Sequence, residues 1–447
     1  MNFNLLFLLL ISYISAAAQS DSSIYTFMDM QMHPTMHVPY SFFGAGFVYF
    51  DENKPPHLRH QHQFKNVNYA NYWEDNSGAR IIVAGSLTSE WVKRPKKAKK
   101  TILKQLQYVN DFAAANSDKF VVAKTPQEVR YYYHHTQKTI IIHSVEGAKK
   151  LINSLEDAQF WAAQGVSFFT LMHLVDSEYG SAAVRPGMMT TLLNLKGALK
   201  AKKKRGLSDK GKQAILWLAQ AGIMTDLTHM ETQTRKETLA FMEIHQIPPL
   251  STHDCFKDIK NTPRAIDATD ILAIYRLQGL MALPISGVEM KLEGATPFYQ
   301  NKVDNLIAAG CHCPGSVDSY KFMYQELQAF IQENVPTITA DSLLTFEQLS
   351  EEQKVRFAIG FQSDFNGWLS HSRPRMGKKG CYPIEEGKTY EPIELEGLAH
   401  PGLLASQWRL LEKEAVDLSP IQRSAERFVQ LWELFSTNKE QWANTAP

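Results

Sequence analysis

The feature that most constrains the fold is an alternation of short apolar runs with longer helical patterns. Eight runs rich in β-branched and apolar residues have the length of strands, and they are Thr26–Met32, Arg80–Gly85, Thr139–His143, Ser167–His173, Ile223–Thr228, Pro249–Thr252, Leu280–Ser286 and Phe357–Gln362. Helical patterns lie between most of them, at Leu103–Ala115, Gly147–Gln164, Ser208–Ala221 (with Ser208 as N-cap), Arg235–His245 and Asp267–Arg276. Eight alternating strand–helix units close a barrel, so the sequence predicts an α/β fold, a (β/α)8 TIM barrel.

Two segments are longer than a minimal barrel needs. Pro39–Asn76, after the first predicted strand, is rich in aromatic residues and histidines, and Glu293–Leu349 separates the seventh and eighth predicted strands. Both follow the carboxyl ends of strands, where barrel enzymes place their active sites. We therefore expect these long loops after strands 1 and 7 to lie over the active-site face.

Five short segments present metal-binding or acid–base side chains where a predicted strand ends, and they are Asp29–Pro34, His143–Gly147, Thr225–His229, Ser251–His253 and Gly360–Gly367. Within them, Glu146 has two oxygens that can bridge two cations, and imidazoles such as His229 and His253 suit zinc. Asp364 can ligate a metal or accept a proton from water. Two cations held close together activate water and polarise a carbonyl, so the pattern predicts a metal-dependent hydrolase.

The composition bounds the partners and the compartment. The formal net charge is +1, so overall charge gives no argument for nucleic-acid binding. Leu5–Ile14 is apolar but too short to span a bilayer, and Ala16–Ala18 supplies a cleavage site before Gln19. We expect residues 1–18 to be a signal peptide, residues 19–447 to form a single metallohydrolase domain without a transmembrane anchor, and the protein to be exported, either periplasmic or secreted. An uncleaved anchor is the alternative.

The chain has four cysteines, too few for a disulfide scaffold. Cys311, Cys313 and Cys381 lie in the C-terminal third, where export would permit a bridge, but the sequence leaves the pairing open. The Cys311-His312-Cys313 triplet suggests metal binding only weakly, because a second ligand pair at zinc-finger spacing is missing.

The motifs resemble those of the membrane (renal) dipeptidase family of metallopeptidases, from about Met28 to Trp432. Gly360–Gly367 is similar to the family's G-S-D-F-D-G, and Gly222–His229 to its G-x-x-x-D-L-S-H. Ser144–Gly147 and Gly165–His173 are similar to its I-E-G and G-V-R-x-x-x-L-T-H. The resemblance implies a dipeptidase, often dimeric in this family, that hydrolyses a peptide bond through a metal-bound hydroxide.

The resemblance also implies residue roles. Glu146 would bridge two zinc ions, His229 and His253 would hold one of them, and Asp364 would lie at the other as ligand or acid–base group. His173 would stabilise the negative charge that develops on the scissile carbonyl oxygen. Arg264 would pair with the free carboxylate of the substrate, as a guanidinium fork can.

The first motif departs from the family pattern, D-x-H-x-D-x-P or D-x-H-x-H-P. Gln31 stands at the first ligand position and His33 at the second, while Asn366 replaces the second Asp of the last motif. An amide oxygen is a weaker zinc ligand than imidazole. The first metal site would therefore hold its ion loosely, take a harder ion, or remain empty while the enzyme uses one metal.

Three hypotheses follow. The first is an exported, zinc-dependent dipeptidase. The second is a barrel metallohydrolase that acts on another amide, lactone or N-acyl substrate through one dominant metal at His229 and His253. The third is a noncatalytic binding protein that kept the pocket.

Overall fold

The barrel is visible in the strand pairings. The structure is a computed structural model, and it describes residues 27–35, 79–88, 92–183, 194, 197, 205–285, 292, 294–365 and 371–443. The strands are β1 Phe27–Met32, β2 Ala79–Leu87, β3 Phe120–Ala123, β4 Thr139–Glu146, β5 Val166–Thr170, β6 Met224–Asp226, β7 Leu250–Ser251, β8 Leu280–Pro284 and β9 Ile359–Gln362. They form one sheet in the order β2-β1-β9-β8-β7-β6-β5-β4-β3, and β2 also pairs with β4. That pairing closes eight parallel strands into the predicted (β/α)8 barrel.

All eight predicted strands are present with shifted ends, but the ninth, β3, was missed. It is four residues long and only its two end residues are buried, so its sequence carries little periodicity. It pairs with Thr139–Ile142 of β4, whereas β5 pairs with His143–Glu146. Because β2 pairs with residues 140–146 of the same strand, β3 occupies the half-edge of β4 that β5 leaves free.

Helices surround the barrel, and their bounds among the described residues are α1 Pro95–Ala115, α2 Pro126–His135, α3 Leu155–Ala163, α4 Asp209–Ala221, α5 Thr232–His245, α6 Ala268–Arg276, α7 Pro297–Ala308, α8 Val317–Glu333, α9 Val335–Thr339, α10 Glu351–Lys354, α11 Pro392–Glu396, α12 Leu404–Lys413, α13 Ser419–Thr437 and α14 Lys439–Ala443. Short 3₁₀ turns lie at Phe346–Gln348, Val355–Phe357 and Pro401–Leu403. The predicted N-cap Ser208 is confirmed, since its hydroxyl accepts from the amide of Gly211 at 3.0 Å.

One helix prediction was wrong in its start. The helical pattern assigned to Gly147–Gln164 begins only at Leu155, where the Ser154 hydroxyl accepts from the amide of Asp157 at 3.3 Å. The preceding residues cannot be helical because Gly147 has φ 84° and Lys150 has φ 67°. This turn directly follows Glu146, so the chain leaves the end of β4 as a loop.

The C-terminal helices close the barrel's outer wall. Trp408 of α12 packs against Phe27 of β1 and Phe361 of β9, each with ring centroids 4.7 Å apart. Phe428 of α13 packs against Phe168 of β5 at 6.2 Å. These contacts bury the outer faces of strands that end at the candidate site, so the last helices fix where those strands point.

The structure describes only one of the two long segments that were predicted to lie over the active-site face. The segment Glu293–Leu349 contains α7, α8 and α9, and Phe256, in the loop after β7, packs on Tyr299 and Phe330 of these helices. Since that loop follows the carboxyl end of β7, the helices lie against the predicted face. The signal peptide and the loop Pro39–Asn76 lie outside the described residues. No helix within the described part of the chain is both long enough and apolar enough to cross a membrane.

One disulfide bridge shows which cysteines of the C-terminal third are paired. Cys313 pairs with Cys381, 68 residues away, while the exposed Cys311 and the buried Cys255 form no disulfide. The His312 Nε2 atom lies 3.1 Å from the Ser319 hydroxyl. The Cys311-His312-Cys313 triplet is therefore not a metal-binding unit, because one of its thiols is used in the bridge.

Candidate metal centre

The carboxylate of Glu146 is the centre around which the predicted ligands meet. Glu146 is the last residue of β4, and His229 and His253 follow β6 and β7. The Oε1 atom of Glu146 lies 2.9 Å from His229 Nε2 and 3.4 Å from His253 Nε2, and those two nitrogens are 3.0 Å apart. Barrel closure thus brings together three side chains that span more than 100 positions of the sequence, from Glu146 to His253.

The other oxygen of Glu146 faces a second set of side chains. Its Oε2 atom lies 3.2 Å from His33 Nε2 and 3.7 Å from His173 Nε2. His33 Nε2 is also 3.3 Å from Asp364 Oδ1. The two oxygens therefore address two separate groups of ligands, which is the arrangement that a bridging carboxylate requires.

Gln31 contributes an unsatisfied oxygen to this second group. Its Oε1 atom is fully buried and accepts no hydrogen bond, and its Nε2 atom lies 3.5 Å from His33 Nε2. Burying an amide oxygen without a partner costs about 1–3 kcal/mol. A cation at this position would remove that cost, so the orphaned oxygen fits the role of a ligand.

Hydrogen bonds at the far side of the rings orient two imidazoles for a cation. His33 Nδ1 lies 3.2 Å from the carbonyl oxygen of Gly85, which can only accept, so Nδ1 carries a proton and Nε2 is the nitrogen that faces the centre. His253 Nδ1 lies 2.9 Å from the Thr252 hydroxyl, and its Nε2 likewise faces Glu146. Neutral imidazole nitrogens with a carboxylate are a donor set that suits zinc.

His173, expected to contact the substrate, also lies within ligand distance. Ligand atoms of Glu146, His173 and His229 all fall within 4.8 Å of one another. The side chain of His173 is 14% exposed, against 1% for His33 and 3% for His253, so it is the imidazole nearest the open side of the centre. A small depression beside it is lined by Gly147, Leu171 and Met172, among others. The substrate contact that the family resemblance implies for His173 stays a prediction.

Burial and neighbouring charges act in opposite directions on the ionisable groups of the centre. Burial would raise the pKa of Glu146, but His173, His229 and His253 hold it well below its usual range. Burial and the charges of Arg264 and His173 lower the pKa of His229. Burial would also lower the pKa of His33, but hydrogen bonds to Asp364 and Glu146 raise it to about 10. A cation bound at His33 would therefore displace a proton.

Arg264 lies directly behind a ligand. Its Nη2 atom donates to the carbonyl oxygen of His253 at 2.8 Å, and its Nε atom is 3.8 Å from Asp254 Oδ1. The side chain is buried, so its charge acts on the centre with little screening by water. Pairing with a substrate carboxylate, the role that the family resemblance implies for Arg264, stays a prediction.

Sequence reasoning missed the residues that hold the ligands. Asp29 accepts from the amide of Ser363 at 3.0 Å and from its hydroxyl, which fixes the loop that carries Asp364 to β1. His371 stacks on Phe365 with ring centroids 4.2 Å apart and holds the same loop. Asp226 lies in the segment that supplied His229, yet no role was assigned to it. The sequence could have indicated Asp29 and Asp226, since both lie in the quoted motifs. Asn366 and Gly367 of the last motif lie outside the described residues.

Eight parallel strands with a carboxylate and several imidazoles at their carboxyl ends define a metal-dependent hydrolase of the barrel type. The chain belongs to the membrane dipeptidase family, peptidase family M19, whose model matches residues 59–338. It is accordingly a metallo-dipeptidase-type hydrolase. No curated protein matches the chain.

Solved structures share the fold. A dipeptidase of family M19 matches with a TM-score of 0.59 at 12% identity, covering 92% of this chain and 98% of that chain. A metallopeptidase from Rhodobacter sphaeroides, liganded with a phosphinate mimic of the dipeptide L-Ala-D-Ala, matches with a TM-score of 0.58 at 12% identity over 92% and 99% of the two chains. The probable dipeptidase PvdM from Pseudomonas aeruginosa matches with a TM-score of 0.55 at 14% identity over 96% and 98%.

Proposed function

We propose that this protein is an exported, zinc-dependent dipeptidase that cleaves dipeptides with a free C-terminal carboxylate. The observation that carries the proposal is the division of Glu146, whose Oε1 faces His229 and His253 while its Oε2 faces His33. In this proposal His229, His253 and Glu146 would hold one zinc ion, and Gln31 and His33 would hold the other. Zinc, when bound, supplies Lewis acidity toward a carbonyl and makes water more acidic.

The other residues act on the substrate. Arg264 binds the free carboxylate and so limits the substrate length on that side. His173 donates from its imidazole toward the carbonyl oxygen of the scissile bond, where negative charge develops. Asp364 takes a proton from the attacking water at Oδ1 and delivers it to the amine that leaves. Its backbone amide donates to the Gln31 carbonyl at 3.1 Å, which keeps this carboxylate beside His33.

Export has support from two features. The apolar run Leu5–Ile14 and the alanines before Gln19 suit a cleaved signal peptide. The bridge between Cys313 and Cys381 suits an oxidising compartment, because disulfides persist there and are rare in the cytosol. N-terminal sequencing of the mature protein should begin at Gln19, and a mature chain that begins at Met1 would contradict cleavage.

The activity is tested with purified mature protein and a panel of L,L- and L,D-dipeptides, with added zinc or with chelator. We include L,D-dipeptides because a similar fold binds a mimic of L-Ala-D-Ala. Chelator-sensitive release of amino acids is the expected result. Glu146→Gln should abolish turnover, and unchanged turnover at full zinc occupancy would refute the role of Glu146.

Gln31 favours a second candidate function. A neutral amide in place of an imidazole weakens one metal site, which would leave one dominant ion at His229 and His253. The protein would then act on another amide, lactone or N-acyl substrate. Bound zinc without dipeptide hydrolysis in the same panel would favour this candidate, and absence of both would favour a noncatalytic binding protein.

A further inference from the structure

A buried carboxylate lies behind the metal centre without touching it. Asp226, at the end of β6, is fully buried and receives donors from three threonines. Its Oδ2 atom accepts from the hydroxyl of Thr170 at 2.7 Å and from that of Thr252 at 2.9 Å. Its Oδ1 atom accepts from the backbone amides of Thr228 and Thr252, each at 3.1 Å. These contacts engage both oxygens of Asp226, which points to a role other than metal ligation.

The ionised carboxylate of Asp226 can only accept, which sets the direction of each hydrogen bond to it, while the two hydroxyl oxygens of Thr228 and Thr252 also lie 3.3 Å apart. Thr228 Oγ1 accepts from the amides of Thr252 and His253 at 3.0 and 3.3 Å, so its own proton goes to Asp226 Oδ1 at 2.8 Å. Five donors then point at Asp226, which fills the roughly four lone-pair positions of a carboxylate. Burial raises the pKa of Asp226, whereas the charge of His253 and the hydrogen bonds from Thr170 and Thr228 favour its ionised form, in which both oxygens can only accept.

The network therefore sets the proton of His253. A hydroxyl has one proton, and Thr252 gives its proton to Asp226. The 2.9 Å contact between Thr252 Oγ1 and His253 Nδ1 must then be donated by the ring. With the proton at Nδ1, the Nε2 atom that faces Glu146 keeps its lone pair.

We propose that the Asp226–Thr252 pair is a positioning device that fixes the tautomer and the rotation of His253 for metal binding. The carbonyl oxygen of Gly85 fixes the tautomer of His33 in the same way, because a carbonyl oxygen can only accept a hydrogen bond. A threonine hydroxyl can donate or accept, and Asp226 removes that freedom. Partners behind ligating histidines raise metal affinity by about 10- to 100-fold. The inference rests on the metal centre of the proposed function.

The test is cobalt(II) binding to the metal-free full-length mature protein, followed by the visible absorption of the bound ion and without any substrate. Thr252→Val keeps the shape of the side chain but removes the hydroxyl, and it should weaken cobalt binding at the site of His253 by about 10- to 100-fold. Thr252→Ser restores the hydroxyl and should bind within about threefold of the wild type. Long-range ¹H–¹⁵N spectra of the metal-free protein should show a histidine in the Nδ1–H form that Thr252→Val changes.

Thr170→Val is the matched control, because Thr170 is equally buried and donates to the same Oδ2 atom but does not contact His253. It should retain the affinity for cobalt. Equal losses in Thr170→Val and Thr252→Val, or no loss in Thr252→Val, would overturn the inference. Thr252→Ala replaces Thr252→Val if thermal unfolding shows that the valine variant does not fold. A wild-type protein that binds no cobalt would overturn the metal centre itself, which separates the two failures.

Discussion

His143 makes the stability of the strand that carries Glu146 depend on pH. It is fully buried in β4, three residues before Glu146. Its Nε2 atom lies 3.1 Å from Asn110 Oδ1, while its Nδ1 atom is buried and has no hydrogen-bond partner. A second proton would therefore be desolvated and unpaired. Burial, with a smaller effect of the Lys124 charge, lowers the pKa of His143 from 6.5 to about 4.

The sign and the size follow from linkage. The pKa in the folded state is lowered, so between the two pKa values the unfolded chain binds the proton and the folded chain does not. The contribution of His143 to stability is complete above the unfolded pKa of 6.5 and is lost as the pH falls toward about 4. At about pH 5 this difference costs the folded state about 2 kcal/mol.

The assay is urea unfolding of metal-free protein at about pH 7.5 and about pH 5. His143→Gln is the comparison, because glutamine keeps an amide donor for Asn110 and does not titrate. Between the two pH values the wild type should lose about 2 kcal/mol more unfolding free energy than the variant. The other histidines are common to both proteins and cancel in this difference. Equal losses in the two proteins would refute the argument that His143 is buried in its neutral form.

The remaining predictions concern the centre. Arg264→Lys should lower kcat/KM for dipeptides by about 10- to 100-fold, since a charged hydrogen bond contributes about 1.5–3 kcal/mol. It should leave kcat/KM for dipeptide amides unchanged, and equal losses for both substrates would exclude carboxylate binding. Gly85→Ala should reduce zinc content measured by atomic absorption, because its Cβ would lie 2.9 Å from His33 Cε1 and displace that ring; unchanged content would show that the ring adapts. Gln31→His should slow zinc loss to a competing chelator, since imidazole is the stronger ligand, and unaltered loss would mean that Gln31 does not bind zinc.

The barrel was predictable because its signals are local. Each of the eight predicted strands is a short apolar run and most helices follow a clear period, so their type can be read from a window of about 11–18 residues. The convergence of the polar strand ends was predictable for a related reason, since the carboxyl ends of barrel strands meet at one face. The start of α3 was not, because the apolar pattern does not reveal the positive φ of Gly147 and Lys150.

The sequence did not reveal the backbone conformation of the site residues either. His229 has φ 68° and Asp364 has φ 52°, values that are costly for residues with side chains. Such strain persists only where the surroundings fix it, as Ser363 and Asp29 do for the loop of Asp364. A sequence motif names these residues without showing that the chain holds them in an unfavourable conformation.

The sequence by itself determined the kind of fold, the positions of the polar strand ends and the chemistry that imidazoles and carboxylates offer there. Only the tertiary structure decided which oxygen of Glu146 faces which histidines, that Gln31 has no partner for its oxygen, and that Cys313 rather than Cys311 pairs with Cys381. The physical reason is distance along the chain: the Asp29–Ser363 contact joins residues 334 positions apart. Periodicity is set by neighbours in sequence, whereas these contacts exist only after the barrel closes.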